Sequence, residues 1–205
     1  MITSALPREG KSVVAANLAV ACANGHRNVL LVDANLRHPA QHECFGVRNT
    51  VGLAQALKRS RLGEDCSQEV MVHQALSSLD VLTSGPLPAS PPDDLASDAM
   101  TRLVEFVKTR YNLIIFDSAP VLPVTDALVL ARHVDGIILV IKAVHTRRQQ
   151  ADEAIKQLTR ANSNLLGVVL NSVNGKKIAG RNGYPYRPPS KGKKRSTQPP
   201  PEQID

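Results

Sequence analysis

Five short runs of apolar and β-branched residues punctuate the chain, at positions 28–33, 79–83, 113–117, 136–141 and 166–171. They show almost no polar alternation, the pattern of strands buried on both faces. Between them, residues 12–24, 94–110, 125–133 and 147–161 place apolar side chains at i, i+3 and i+4, which predicts helices, the first closed by Gly25. Strands alternating with helices predict an α/β fold: a mostly parallel sheet with helices on both faces, in three layers, binding ligands at the carboxyl ends of its strands. Residues 84–94, SGPLPASPPDD, read as a proline-rich loop. Only Met1, Ile2 and Thr3 precede Ser4, so the first strand is expected to be truncated. Either the chain is cut from a longer protein, its start is misassigned, or the strand is unusually short.

The pattern stops near Asn174. Residues 1–174 are expected to form one domain and residues 175–205 a basic, proline-rich disordered tail, which holds six of the 14 prolines and little to bury. This division changes the meaning of the net charge of +7. Up to residue 175, 17 Lys and Arg stand against 16 Asp and Glu, whereas the last 30 residues carry eight against two. The basicity belongs to the tail, and no specific nucleic-acid partner is expected from it. No apolar stretch approaches the roughly 18 to 20 residues of a membrane span, and no signal peptide opens the sequence, so a cytosolic location is expected. Cys22, Cys44 and Cys66 match no zinc spacing and are expected to be free, buried thiols. The six histidines show no metal-ligand spacing either.

Chemistry enters with Ala5-Leu6-Pro7-Arg8-Glu9-Gly10-Lys11-Ser12, a phosphate-binding loop with alanine in the first glycine position. Residues Pro7 to Val13 would bind the nucleotide: successive backbone N–H groups wrap the β-phosphate, and the positive end of the following helix adds to them. Lys11 would reach the β- and γ-phosphates, and the Ser12 hydroxyl would bind Mg²⁺. Two further runs, VLLVD ending in Asp33 and LIIFD ending in Asp117, place carboxylates at the same sheet edge, where a Mg²⁺ bridging the phosphates would sit. A strand-terminal Asp can instead cap the next helix, as Asp126 could.

Taken in order, PREGKS, DANLRHP and DSAP resemble the motifs of the bacterial tyrosine kinases of capsule and exopolysaccharide synthesis. So do Gly52-Leu53 opening a short helix, GPLPASPPDDL, VLPVTDALVLA, VDGIILVIKAVHTRR and LLGVVLNSVN. The resemblance spans residues 2–174. It implies an ATP- and Mg²⁺-dependent autokinase with Lys11 on the phosphates, Ser12 and Asp117 on Mg²⁺, and Asp33 beside the metal as the acid that activates the attacking hydroxyl. It further implies Asn171 near the adenine, Arg37 as the motif arginine, and Tyr184 and Tyr186 as tail tyrosines phosphorylated by a neighbouring copy. The implied partner is a membrane-embedded polysaccharide chain-length regulator, which would hold the kinase at the inner face of the membrane.

Four departures from the family pattern bear on activity. Asn35 stands where the family has a second acid, which removes a charge from beside the metal. Arg8 replaces a small residue, usually glycine. The oligomerising Glu-x-x-Arg-x-x-Arg helix that precedes the first strand in the family is not in the sequence, and two tail tyrosines replace a dense cluster. The alternatives are therefore a catalytically weak, nucleotide-dependent scaffold of the same system, or a partition-type ATPase. Members of the latter class carry a second lysine where this chain has Leu6. Tyr111, beside a core strand, is expected to be structural.

Overall fold

The computed structural model describes residues 1–25, 27–61, 73–161 and 163–173. Seven strands form one sheet: β1 (Ile2–Ser4), β2 (Val29–Asp33), β3 (His73–Leu76), β4 (Leu79–Leu82), β5 (Leu113–Asp117), β6 (Ile137–Lys142) and β7 (Leu165–Asn171). Their spatial order is β3-β4-β2-β5-β1-β6-β7, and every pairing is parallel except β3 with β4. The expected α/β architecture, mostly parallel, is present, with the short β1 in its interior. β1 pairs with β6 over all three of its residues, and with β5 only at Ile2 opposite Asp117.

The uninterrupted apolar runs feed two cores. Within β2, Leu30 and Val32 face one and Val29 and Leu31 the other; β4 and β5 alternate likewise. On the first face lie α3 (Leu53–Arg61), α4 (Pro91–Leu95), α5 (Asp98–Lys108), α6 (Asp126–Leu130) and α7 (Arg148–Arg160). On the second lies α1 (Lys11–Asn24), whose buried residues are Ala15, Ala19 and Ala23. Alanines at every fourth position form a stripe without protruding side chains, so the helix backbone seats close against the sheet.

Some expectations need correction. The predicted helix over 94–110 is two helices, α4 and α5, separated at Ala96 and Ser97. The first of them begins inside the stretch read as loop, because Pro91 and Pro92 occupy the first helical turn, where a missing N–H costs nothing. The helix expected over 125–133 is α6 followed by a 3₁₀ turn at Ala131–His133. Two elements were not foreseen: α2 (Gln41–Phe45) and the antiparallel β3, whose HQAL sequence lacks any β-branched residue. Cys44 is exposed rather than buried; Cys22 is half-buried, and both are free thiols. Cys66, the tail and its tyrosines lie outside the described residues. Among the described residues, no helix is long and apolar enough to cross a membrane, and no cluster of His, Cys, Asp and Glu could hold a metal on its own.

Candidate active site

The loop between β1 and α1 is built around two conformations that the sequence must tolerate. Gly10 has φ +90°, and a side chain there would meet Asn171 Nδ2 at 2.1 Å, so only glycine fits. Arg8 also lies in the left-handed region, at φ +63°, without glycine's freedom. The first helical bond runs from Val14 N–H to Gly10 C=O, 3.0 Å, which leaves the N–H groups of Lys11, Ser12 and Val13 ahead of the helical ladder. These donors and the helix's positive end form an anion cradle.

Three braces hold the loop. The buried Glu9 accepts the Leu6 N–H at Oε2, 2.8 Å, and the Thr146 hydroxyl at Oε1. Thr146 in turn accepts the Lys142 N–H at the end of β6, 3.0 Å. From the end of β7, Asn171 Nδ2 donates to the Glu9 carbonyl, 2.9 Å, so Asn171 buttresses the loop directly. Pro7, Arg8 and Val13 are exposed at its rim.

Parallel pairing sets the two strand-terminal acids side by side, Asp33 of β2 opposite Asp117 of β5. Both side chains are fully buried. Lys11 Nζ lies 3.7 Å from Asp117 Oδ1 and donates to Ser12 Oγ, 3.1 Å. Asp33 Oδ2 accepts the N–H groups of Ala40 and Gln41, each at 2.9 Å, and Oδ1 accepts that of Asn35 at 3.3 Å. Asp33 therefore also fastens the start of α2, the capping role of a strand-terminal Asp. Burial, reinforced by the Asp117 charge, pushes the Asp33 carboxyl up to about 7 against the pull of those N–H donors. Burial also raises Asp117, opposed mainly by the Lys11 ammonium.

Two predicted residues are engaged elsewhere. The Arg37 guanidinium makes a bidentate ion pair with Asp126, Nε to Oδ2 at 2.8 Å and Nη2 to Oδ1 at 2.9 Å. Asp126 is thus the arginine's partner and not a helix cap; it sits inside the first turn of α6. Asn35 spends its amide within its own loop, donating to the His38 carbonyl and accepting the His38 N–H at 3.4 Å. Tyr111 donates its hydroxyl to Asp80 Oδ2, 2.8 Å, and burial with that bond holds the phenol protonated, as a structural tyrosine should be.

One residue escaped the sequence reading. Gln41 is fully buried; its Nε2 donates to Asp117 Oδ2, 2.8 Å, and to the Ser12 carbonyl, 3.1 Å. Nothing in its sequence context, a polar residue two positions after Pro39, marks it.

Comparison with known proteins agrees with this geometry. Residues 2–184 match the CobQ/CobB/MinD/ParA nucleotide binding domain family. The chain is 43% identical over 187 residues to the tyrosine-protein kinase YwqD of Bacillus subtilis, covering 91% of this chain and 76% of that one. It belongs to the bacterial tyrosine-protein kinases. Another member of this kinase family, the tyrosine-protein kinase Etk of Escherichia coli K12, is 35% identical over 173 residues, but the chain spans only 23% of its length. The solved kinase domain of Escherichia coli ETK superimposes with a TM-score of 0.77 at 31% identity, covering 91% of this chain and 70% of that one. In this bacterial tyrosine kinase, the nucleotide-binding fold and the phosphate loop therefore come with the family.

Proposed function

We propose that the protein is an ATP- and Mg²⁺-dependent protein-tyrosine autokinase that regulates the polymerisation and export of an exopolysaccharide or capsule. The observation that carries this reading is the convergence of Lys11, Ser12, Asp33 and Asp117 on one point at the sheet edge. The Lys11 ammonium already rests against both Ser12 Oγ and Asp117 Oδ1, and that buried carboxylate oxygen has no hydrogen-bond partner. The donor set thus fits a hard cation, with Ser12 and Asp117 as its holders and Asp33 beside them. When bound, Mg²⁺ supplies charge neutralisation on the phosphates.

The chain's own residues supply the remaining functions. The N–H groups of Lys11, Ser12 and Val13 bind phosphate oxygens, and Lys11 follows the developing charge. A tyrosine near its usual value of about 10 is a poor nucleophile at neutral pH and needs a base. Asp33 is the carboxylate placed for that task, and Oδ1, which carries only the longer 3.3 Å bond, is the oxygen to take the phenolic proton. Asn171, braced on the loop, borders the base of the nucleotide, and Arg37 positions the Asp33 loop through Asp126. Tyr184 and Tyr186 are the proposed acceptors, modified by a second copy, with a membrane-embedded chain-length regulator as the activating partner at the cytoplasmic face. Incubation with γ-labelled ATP should label the tail, and the double variant Y184F/Y186F should lose the label; unchanged labelling would refute the assignment.

Asn35 favours a second reading, a catalytically weak nucleotide-dependent scaffold, because its uncharged side chain is tied to His38 rather than offered to the metal. Asn35→Asp decides: a large gain in labelling identifies a weakened kinase, and no gain removes Asn35 as the reason for weakness. The partition-type alternative loses its support to Leu6 and to the 43% identity with a tyrosine kinase.

A further inference from the structure

Gln41 is a neutral side chain inside a cluster of charged ones, and its position in the fold brings it to Asp33, Asp117 and Ser12 at once. It opens α2, eight residues after Asp33 in sequence, and its main chain N–H holds Asp33 Oδ2 at 2.9 Å. Its carboxamide crosses to the neighbouring strand end and to α1. There Nε2 divides its two hydrogens between Asp117 Oδ2 at 2.8 Å and the Ser12 carbonyl at 3.1 Å. Asp117 is thereby held by one oxygen from one side, while its other oxygen, Oδ1, has no hydrogen-bond partner and faces the Lys11 ammonium. The Gln41 Oε1 atom is likewise buried without a partner. In a low-dielectric site, an amide oxygen with no donor beside a carboxylate oxygen held only by an ion pair at 3.7 Å is expensive unless a ligand completes them.

We infer that Gln41 is a positioning residue of the metal site: it fixes the rotation of the Asp117 carboxylate so that Oδ1 is the oxygen presented to the cation, and it ties that orientation to Asp33 and Ser12. Oε1, buried without a partner, would be free to accept a hydrogen bond from the hydration of a bound cation. The amide suits the place for a physical reason. A glutamate would put a third carboxylate beside Asp33 and Asp117, and an apolar residue of the same length would leave Oδ2 without its donor. This inference rests on the reading of Ser12 and Asp117 as metal holders.

The test separates the two. Affinity for a fluorescent, non-hydrolysable ATP analogue is measured by equilibrium titration with Mg²⁺ and in EDTA, for the wild type and for Gln41→Met, with thermal melting to confirm folding. Groups that orient a metal ligand are worth about 10- to 100-fold in metal affinity. The expected result is that Q41M loses about tenfold of the Mg²⁺-dependent gain in affinity, while its metal-free affinity stays within about twofold of wild type. An unchanged Mg²⁺-dependent gain, or an equal loss with and without the metal, overturns the role of Gln41. A wild type whose affinity does not respond to Mg²⁺ overturns the metal reading itself. If Q41M does not fold, Gln41→Glu keeps the side-chain length and the main-chain N–H bond to Asp33 but exchanges the side-chain donor for an acceptor. It should move the midpoint of the Mg²⁺ titration by about threefold or more on the same scale, and an unmoved midpoint overturns the proposal.

Discussion

The Arg37–Asp126 pair joins residues 89 positions apart in sequence and fixes the loop after β2 against α6. Asp126 is completely buried, whereas 36% of the Arg37 side chain remains exposed. Replacing Arg37 with Met would strand a buried carboxylate. Breaking such a pair from one side costs about 3–5 kcal/mol, and the opening left by a partly exposed guanidinium admits water, which places the expected loss near the lower bound, about 3 kcal/mol. For a chain of this size that corresponds to a fall in melting temperature of about 6–12 °C. In a D126N background, where no charge is stranded, R37M should cost about 1–2 kcal/mol, as for one neutral-acceptor bond to a charged donor. A double-mutant cycle by urea unfolding should therefore return a coupling of about 1–2 kcal/mol. Kinase assays add a second readout. An arginine that positions the loop predicts similar losses of activity for R37M and D126N, whereas one that touches phosphate predicts loss for R37M alone. A cost below about 1 kcal/mol for R37M, with no coupling, would refute the argument from burial.

Further expectations follow from the same geometry. Asp33 is raised from 3.8 to about 7, so the fold favours its protonated form; its stabilising contribution in the metal-free protein is complete below pH 4 and lost as pH rises through 7. Between pH 5 and pH 8 this amounts to about 2–3 kcal/mol, and urea unfolding at those two pH values in EDTA should show a loss of this order that D33N removes in large part. Arg8→Gly should relieve the left-handed backbone at an exposed position and stabilise the protein by about 1 kcal/mol, read as a rise of about 2–4 °C on melting. Gly10→Ala should abolish nucleotide binding in a titration while the protein stays folded, because its methyl group falls on the Asn171 amide that braces the loop.

The parts of the site written in contiguous residues were legible from sequence. A phosphate loop needs glycine, lysine and serine at fixed spacing before a helix, and a buried strand ending in Asp announces itself by its apolar run. What escaped depends on contacts across the fold. Asp126 looks like a helix cap until Arg37 arrives from another loop, and Gln41 is an unremarkable polar residue until α2 carries it between two strand ends. β3 escaped because His73 and Gln74 carry no strand preference and are recruited by pairing with β4. The split of the helix over 94–110 was hidden because its apolar spacing continues across Ala96 and Ser97.

The alanine stripe of α1 makes this helix a stiff lever with the phosphate loop at its near end. Ala15, Ala19 and Ala23 are all buried on the side of the helix that meets the sheet. A single added methylene group at Ala23, three turns from Lys11, would pry the far end outward and tilt the row of amides that must meet a phosphate. The geometry of the reaction centre is therefore set partly by residues that never approach it, and sequence drift on this buried stripe would be felt in nucleotide affinity before it was felt in folding.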